Sequence, residues 1–243
     1  LIQSGIIGKV HTVHAWSPKN WGYDGPLPEG EDPVPDQLDW NLWLGTSKKR
    51  PYKKDMYHPG NWRKLMDYGC GTLGDMGVHI FDTPYNALEL DVPRTIMTEC
   101  RPTNGFGFPE KNTVTYEFPG TKYTGKSLKW IWYDGPGAPE MHEDLMLPGM
   151  EMKNDKKANK KDENSISLDA GVAGENELPE QGAMFVGTKG RLLLPHFMQL
   201  PKKIRRGKYV DISEEIAKVS EEHNLGEPIR NYGTEGPKHY HQF

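Results

Sequence analysis

The sequence is poor in cysteine. Only Cys70 and Cys100 are present, which excludes a disulfide framework and a cysteine-ligated zinc site by count. A single disulfide would use both, but free thiols are the expected state. No apolar run approaches the roughly 18 residues of a membrane span. Excess charge of one sign is also lacking: 30 Lys and Arg stand against 34 Asp and Glu. No nucleic-acid partner is therefore expected, because nothing concentrates positive charge. No Gly-rich phosphate loop of the GxGxxG or GxxxxGK[ST] type is expected, and hence no standard dinucleotide site within the chain.

What is abundant is turn-forming. The 20 Pro and 27 Gly imply much loop, while seven Trp argue against disorder. The 243 residues suffice for one large domain, and residues 1–243 are read as a single substrate or oligomerisation domain, cut from a longer chain at both ends. Gly5 and Gly8 predict a turn before a strand at 10–16. Residues 18–35 read as a long surface loop. Asp39 is expected to cap a helical turn through Leu44, with Trp40 and Trp43 on one side. Asn61 is expected to cap a short helix through Met66.

Beyond Leu90 the texture is that of strands: 95–100, 112–118, 128–133, 183–186 and 191–194. Turns at Pro119-Gly120 and Thr188-Lys189-Gly190 punctuate them. Successive strands without intervening helices predict an antiparallel sheet, hence an α+β fold. Residues 151–177 form a polar stretch expected to be a flexible excursion. Residues 213–222 predict an amphipathic helix with Ile216 and Val219 on its apolar side.

The segment from Gly69 to Leu90 carries the most chemistry. Thr72 is a plausible N-cap, with Asp75 at the third helical position. At about 100° per residue, Asp75, His79, Asp82 and Asn86 share a narrow polar stripe. Leu73, Met76, Ile80, Phe81, Ala87 and Leu88 lie opposite. Pro84 is expected to kink or interrupt the helix. The i,i+4 spacing puts Asp75 within reach of His79. A carboxylate beside an imidazole raises its pKa and fixes its tautomer, as an acid–base pair requires. A solvated outer stripe gives the same spacing, so two readings stand at this point. No metal is expected at this pair, because no HExxH or third ligand accompanies it. His239 and His241 have a weak metal-binding spacing.

The stretch YHPGNWRKLMDYGCGTLGDMGVHIFDTPYNAL resembles the C-terminal domain of the glucose–fructose oxidoreductase and inositol dehydrogenase family, in the bacterial branch with an NWR element before a GDMGxH helix. SGIIGKVHTVHAWS, LDWNLWLG and MFVGTKGRLLLP agree with it in order. The resemblance implies an open, mainly antiparallel sheet with helices on one face, like the C-terminal domain of glyceraldehyde-3-phosphate dehydrogenase. It implies a separate Rossmann half, absent here, that binds NAD or NADP. It also implies hydride transfer at a carbinol carbon of a sugar or cyclic polyol, with Asp75 and His79 assisting proton transfer. The family's Glu-Lys-Pro motif is missing; Pro109-Glu110-Lys111 has another order and place. This chain alone is thus expected to be inactive.

Trp62 and Arg63 of the NWR element are candidate sugar contacts, Trp62 by stacking and Arg63 through its planar fork. His58 and Tyr68 flank them as further polar candidates. Trp130 and Trp132 share one strand face, facing either core or an oligomer interface. Three functions are carried forward: an NAD(P)-dependent oxidoreductase of sugars or polyols, an NAD-dependent glycosidase working by transient oxidation and elimination, and a non-enzymatic carbohydrate-binding domain. The expected partners are a small carbohydrate and further copies of the chain meeting through the sheet, with no membrane. The compartment, cytoplasm or periplasm of a bacterium, is not read from these residues.

Overall fold

The computed structural model describes residues 1–150, 176–196, 199–226 and 237. Most of the expected excursion at 151–177 lies outside them, as do His239 and His241. Among the described residues eight strands form one sheet: β1 (Val10–Ser17), β2 (Thr95–Glu99), β3 (Asn112–Pro119), β4 (Thr124–Asp134), β5 (Gly182–Gly187), β6 (Gly190–Pro195), β7 (Lys202–Arg205) and β8 (Lys208–Val210). Their order is β2-β3-β4-β1-β5-β6-β7-β8. Only the β1–β4 pairing is parallel; all the others are antiparallel. The helices are α1 (Trp40–Leu44), α2 (Gly71–Ala87) and α3 (Ser213–Glu222), with 3-10 turns at Asn61–Lys64 and Glu143–Leu145. No helix among the described residues is long and apolar enough to cross a membrane. This is the α+β arrangement expected.

Period-two alternation sorts side chains to the two faces of the sheet. On one face Val13, Ala15, Leu128, Trp130, Trp132, Ala183 and Phe185 form the main core, which Met76 and Ile80 of α2 and its C-cap Leu88 cover. Ile216 of α3 packs on the same core, so both long helices lie on one face. Trp130 and Trp132 are core residues, at 1% and 0% exposure. On the other face Trp16, Ile131, Tyr133, Met184, Val186 and Ile204 pack beneath Leu145 and Leu147.

Several local expectations are corrected. α2 runs unbroken through Pro84, whose ring is buried. Thr72 does not cap it. The Thr72 hydroxyl accepts the Trp21 N–H at 2.8 Å and donates to the Lys19 carbonyl at 3.2 Å, tying the helix to the loop after β1. Asn61 lies inside its 3-10 turn, which ends at Lys64 rather than Met66; its amide donates to the Asp55 carbonyl instead of capping. The strand expected at 128–133 begins at Thr124. The β7–β8 hairpin was not expected. Its strands are short and cationic, as edge strands often are, and Arg206 and Gly207 both have positive φ, which suits a tight two-residue turn. Asp39 does cap α1, accepting the Leu42 N–H at 3.0 Å, and Trp40 stacks on Trp43.

Asp134, at the end of β4, is buried and accepts from Trp132 Nε1 at 2.7 Å, Asn112 N at 2.9 Å and Asn112 Nδ2 at 2.8 Å. Burial nevertheless raises its carboxyl pKa from 3.8 to about 6. The fold thus favours the protonated form. Its contribution is full below the unfolded pKa near 4 and is lost as pH rises through about 6, a swing on the order of 3 kcal/mol. Asp134→Asn is neutral throughout but turns an NH2 toward the Trp132 donor, a mismatch costing about 1–3 kcal/mol. Thermal melts should show the variant less stable than wild type at pH 4.5, with the gap narrowing or reversing by pH 7.5. A pH-independent gap would contradict this account of Asp134.

Candidate active site

The NWR turn is held by a satellite aromatic core. Tyr57, Leu65 and Phe106 are buried there with Trp40, Trp43 and Tyr68 around them. The Trp62 N–H donates to the Tyr57 carbonyl at 2.8 Å, and Leu65 bridges to Gly107. Gly69 passes so close that a Cβ there would sit 2.4 Å from the Arg63 carbonyl oxygen. Arg63 is thereby aimed at α2. Its guanidinium lies 4.5 Å from the Trp62 ring centre and 5.3 Å from that of Trp21. Its Nε donates to Asp75 Oδ1 at 3.3 Å, and Nη1 to the Gly60 carbonyl at 3.4 Å. Both side chains of the ion pair are 28% exposed.

The expected pairing of Asp75 with His79 is therefore not the arrangement found. Asp75 turns to the permanent charge of Arg63, which binds a carboxylate more strongly than a neutral imidazole does. His79 sits one turn on, exposed, and faces His196 with ring centres 6.0 Å apart. His196 directly follows β6, and its pKa is lowered by burial and by the proximity of His79. Between them is a small cleft of about 70 Å³, closed by Thr83, Gly182, Ala183 and Pro195. Asp82 and Asn86, further along the stripe, are exposed and bond to each other at 3.0 Å; they read as solvated surface.

Of the flanking candidates, Trp62 is partly exposed and Arg63 covers one side of it. Tyr68 is corrected. It packs on Trp43 and Tyr57 with ring centres at 5.1 and 5.8 Å, and its hydroxyl is buried with no hydrogen-bond partner among the described residues, so its ring belongs to the satellite core. His58 is exposed and hydrogen-bonded to none of the described residues. Sequence reasoning missed His196 and Trp21. The position of His196 immediately after the MFVGTKGRLLLP hairpin was the available signal; Trp21 lay hidden in a loop.

The absence of a GxGxxG string also needs correcting, since Gly69 to Gly74 spells one. Its setting is not that of a dinucleotide site. A bridge residue and a turn precede it, not a strand, and the first two glycines are consumed by the chain itself. Gly69 admits the Arg63 backbone, and Gly71, at φ +64, lies against the Phe108 ring, 2.9 Å from where its Cβ would be. These residues do not fit a nicotinamide dinucleotide. Cys70 and Cys100 are both free and exposed.

Residues 1–105 match the family described as oxidoreductase family, C-terminal alpha/beta domain. That stretch runs from β1 through α2 and β2, and it contains Asp75, His79, Arg63 and Trp62. β3 to α3, with His196, lie beyond the matched residues. No curated protein matches the chain.

Proposed function

We propose that this chain is the substrate domain of an NAD(P)-dependent oxidoreductase acting on a sugar or cyclic polyol. The observation that carries the reading is the pair of polar groups set side by side on the open face of α2: the Arg63–Asp75 ion pair on Trp62, and His79 opposite His196. A planar fork with a carboxylate suits vicinal hydroxyls, and an indole suits the apolar face of a sugar ring. His79, exposed and unpaired in charge, is the group placed to take or give the hydroxyl proton. The nicotinamide, which supplies hydride chemistry when bound, would be held by residues outside this sequence.

The test uses the full-length enzyme with a panel of free sugars and polyols, reading NADH or NADPH formation, and in parallel a chromogenic glycoside without added cofactor. Cofactor reduction by a free sugar supports the proposal. Aglycone release alone would move it to a redox glycosidase, and binding without turnover would move it to a carbohydrate-binding domain. Arg63→Lys keeps the charge but loses the fork and the stacking between two indoles. It should raise KM about tenfold or more with a smaller change in kcat, the size of one charge-assisted hydrogen bond. An unchanged KM would remove Arg63 from the binding site.

A further inference from the structure

The other face of the sheet carries a cluster for which the α2 site has no use. His14, on β1, is fully buried. His142 and Asp144 lie on the segment after β4, at the Glu143–Leu145 turn. His14 Nε2 is 3.2 Å from Asp144 Oδ2, and His142 Nδ1 is 3.3 Å from the same oxygen. The two imidazole centres are 4.9 Å apart, and one ligand atom from each of the three residues lies within 4.8 Å of the others. A tetrahedral ion with bonds near 2.0–2.1 Å separates its donors by roughly 3.4 Å. Two of the three separations already match.

His14 has two tautomeric arrangements here: Nε2–H donating to Asp144 with the Tyr133 hydroxyl donating to Nδ1, or Nδ1–H donating to Tyr133 with Nε2 open to an ion. His142 Nδ1 accepts the Asp144 N–H at 3.1 Å, so it carries no proton of its own toward the Asp144 oxygen. The same nitrogen lies 3.3 Å from Asp144 Oδ2, and an ion bound between them takes the Nδ1 lone pair in place of the Asp144 N–H. Lys129 lies near enough to act on His14, while two other nearby cations are engaged elsewhere. Arg191 donates to the main-chain carbonyls of Glu143 and Asp144, not to the carboxylate, and Lys111 is bound to Glu140. His14 is also prepared as a ligand. Its Nδ1 lies 3.1 Å from the Tyr133 hydroxyl. In the tautomer with Nδ1–H donating to that oxygen, the Nε2 lone pair faces the cluster, the usual outer-shell arrangement of a metal-bound histidine.

We propose that His14, His142 and Asp144 form a site for a first-row divalent transition cation, with Zn2+ the best match to two imidazole nitrogens and one carboxylate oxygen. The ion ties β1 to the segment after β4. Three protein donors leave a fourth position for water, beside the cleft of about 580 Å³ that Tyr133 and His142 help to line. The site lies across the sheet from α2, so it stands or falls independently of the proposed oxidoreductase activity.

The test is titration of the chelator-stripped full chain with Zn2+ by calorimetry and with Co2+ by visible absorption. One equivalent should bind with micromolar affinity or tighter, Co2+ should give the intense bands of a low-symmetry four-coordinate site, and Zn2+ should raise Tm by mass action. His142→Ala and Asp144→Asn should each weaken binding at least about tenfold, the lower end of what even outer-shell changes cost. His14→Ala opens a hole in the core, so the other two variants decide the outcome, and their folding is checked by circular dichroism. Replacing His239 and His241 should leave binding unchanged. Substoichiometric binding, binding indifferent to His142→Ala and Asp144→Asn, or binding lost with His239 and His241 would each overturn the proposal.

Discussion

Replacing His79 with alanine in the full-length enzyme is expected to lower turnover at least about a hundredfold, the usual scale of a lost acid–base group. KM should change less, because Arg63, Asp75 and Trp62 remain in place to bind the substrate. The geometry adds a readout that does not depend on activity. His79 and His196 face each other with ring centres 6.0 Å apart, and the proximity of His79 helps to hold the His196 pKa down. Two imidazolium charges repel, so removing one lets the other protonate at higher pH. NMR titration of His196 in the His79→Ala variant should show its pKa moving up. Near-normal turnover would end the catalytic assignment of His79, and an unmoved His196 would end the coupling.

The largest effect on stability is expected at Trp132. Its indole is fully buried beside Phe81 and donates to Asp134 at 2.7 Å. Trp132→Ala removes a large core side chain, at about 3–5 kcal/mol, and strands a buried carboxyl oxygen, at about 1–3 kcal/mol more. Against a typical domain stability of roughly 5–15 kcal/mol, much of the protein should unfold at ambient temperature. Trp132→Phe isolates the second part. It keeps most of the packing, loses the donor, and should raise the Asp134 pKa further, since that hydrogen bond is one of the forces holding it down. Urea unfolding at pH 5 and pH 8 measures both. A midpoint for Trp132→Ala equal to that of wild type would contradict the placement of this residue in the core.

The features legible in the sequence were those governed by near neighbours. The apolar side of α2, the Asp39 cap, the hairpin at Thr188–Gly190 and the bounds of α3 depend on residues within about a turn of each other. Three of the errors share one cause, which is competition from a distant partner. Thr72 has the chemistry of a cap, but the loop after β1 takes its hydroxyl. Asp75 has the spacing to hold His79, but Arg63 arrives from the preceding turn with a full charge. Tyr68 looks like a polar contact, but the aromatic satellite core encloses it. The GxGxxG letters looked for in a phosphate loop are present, but they serve close packing against Arg63 and Phe108.

The sequence by itself determined the α+β class, the existence of strands β1 to β6 and the amphipathic character of α2, because periodicity and turn chemistry are local. It also placed Asp75 and His79 on one open stripe. Only the tertiary structure decided who their partners are: Arg63 for the first and His196 for the second. It alone brought His14 to His142 and Asp144, across more than a hundred residues of chain. Side-chain pairing across such distances follows from how strands are ordered in the sheet and which loops cross its faces. That order places β4 beside β1 and lets the segment after β4 fold back over His14.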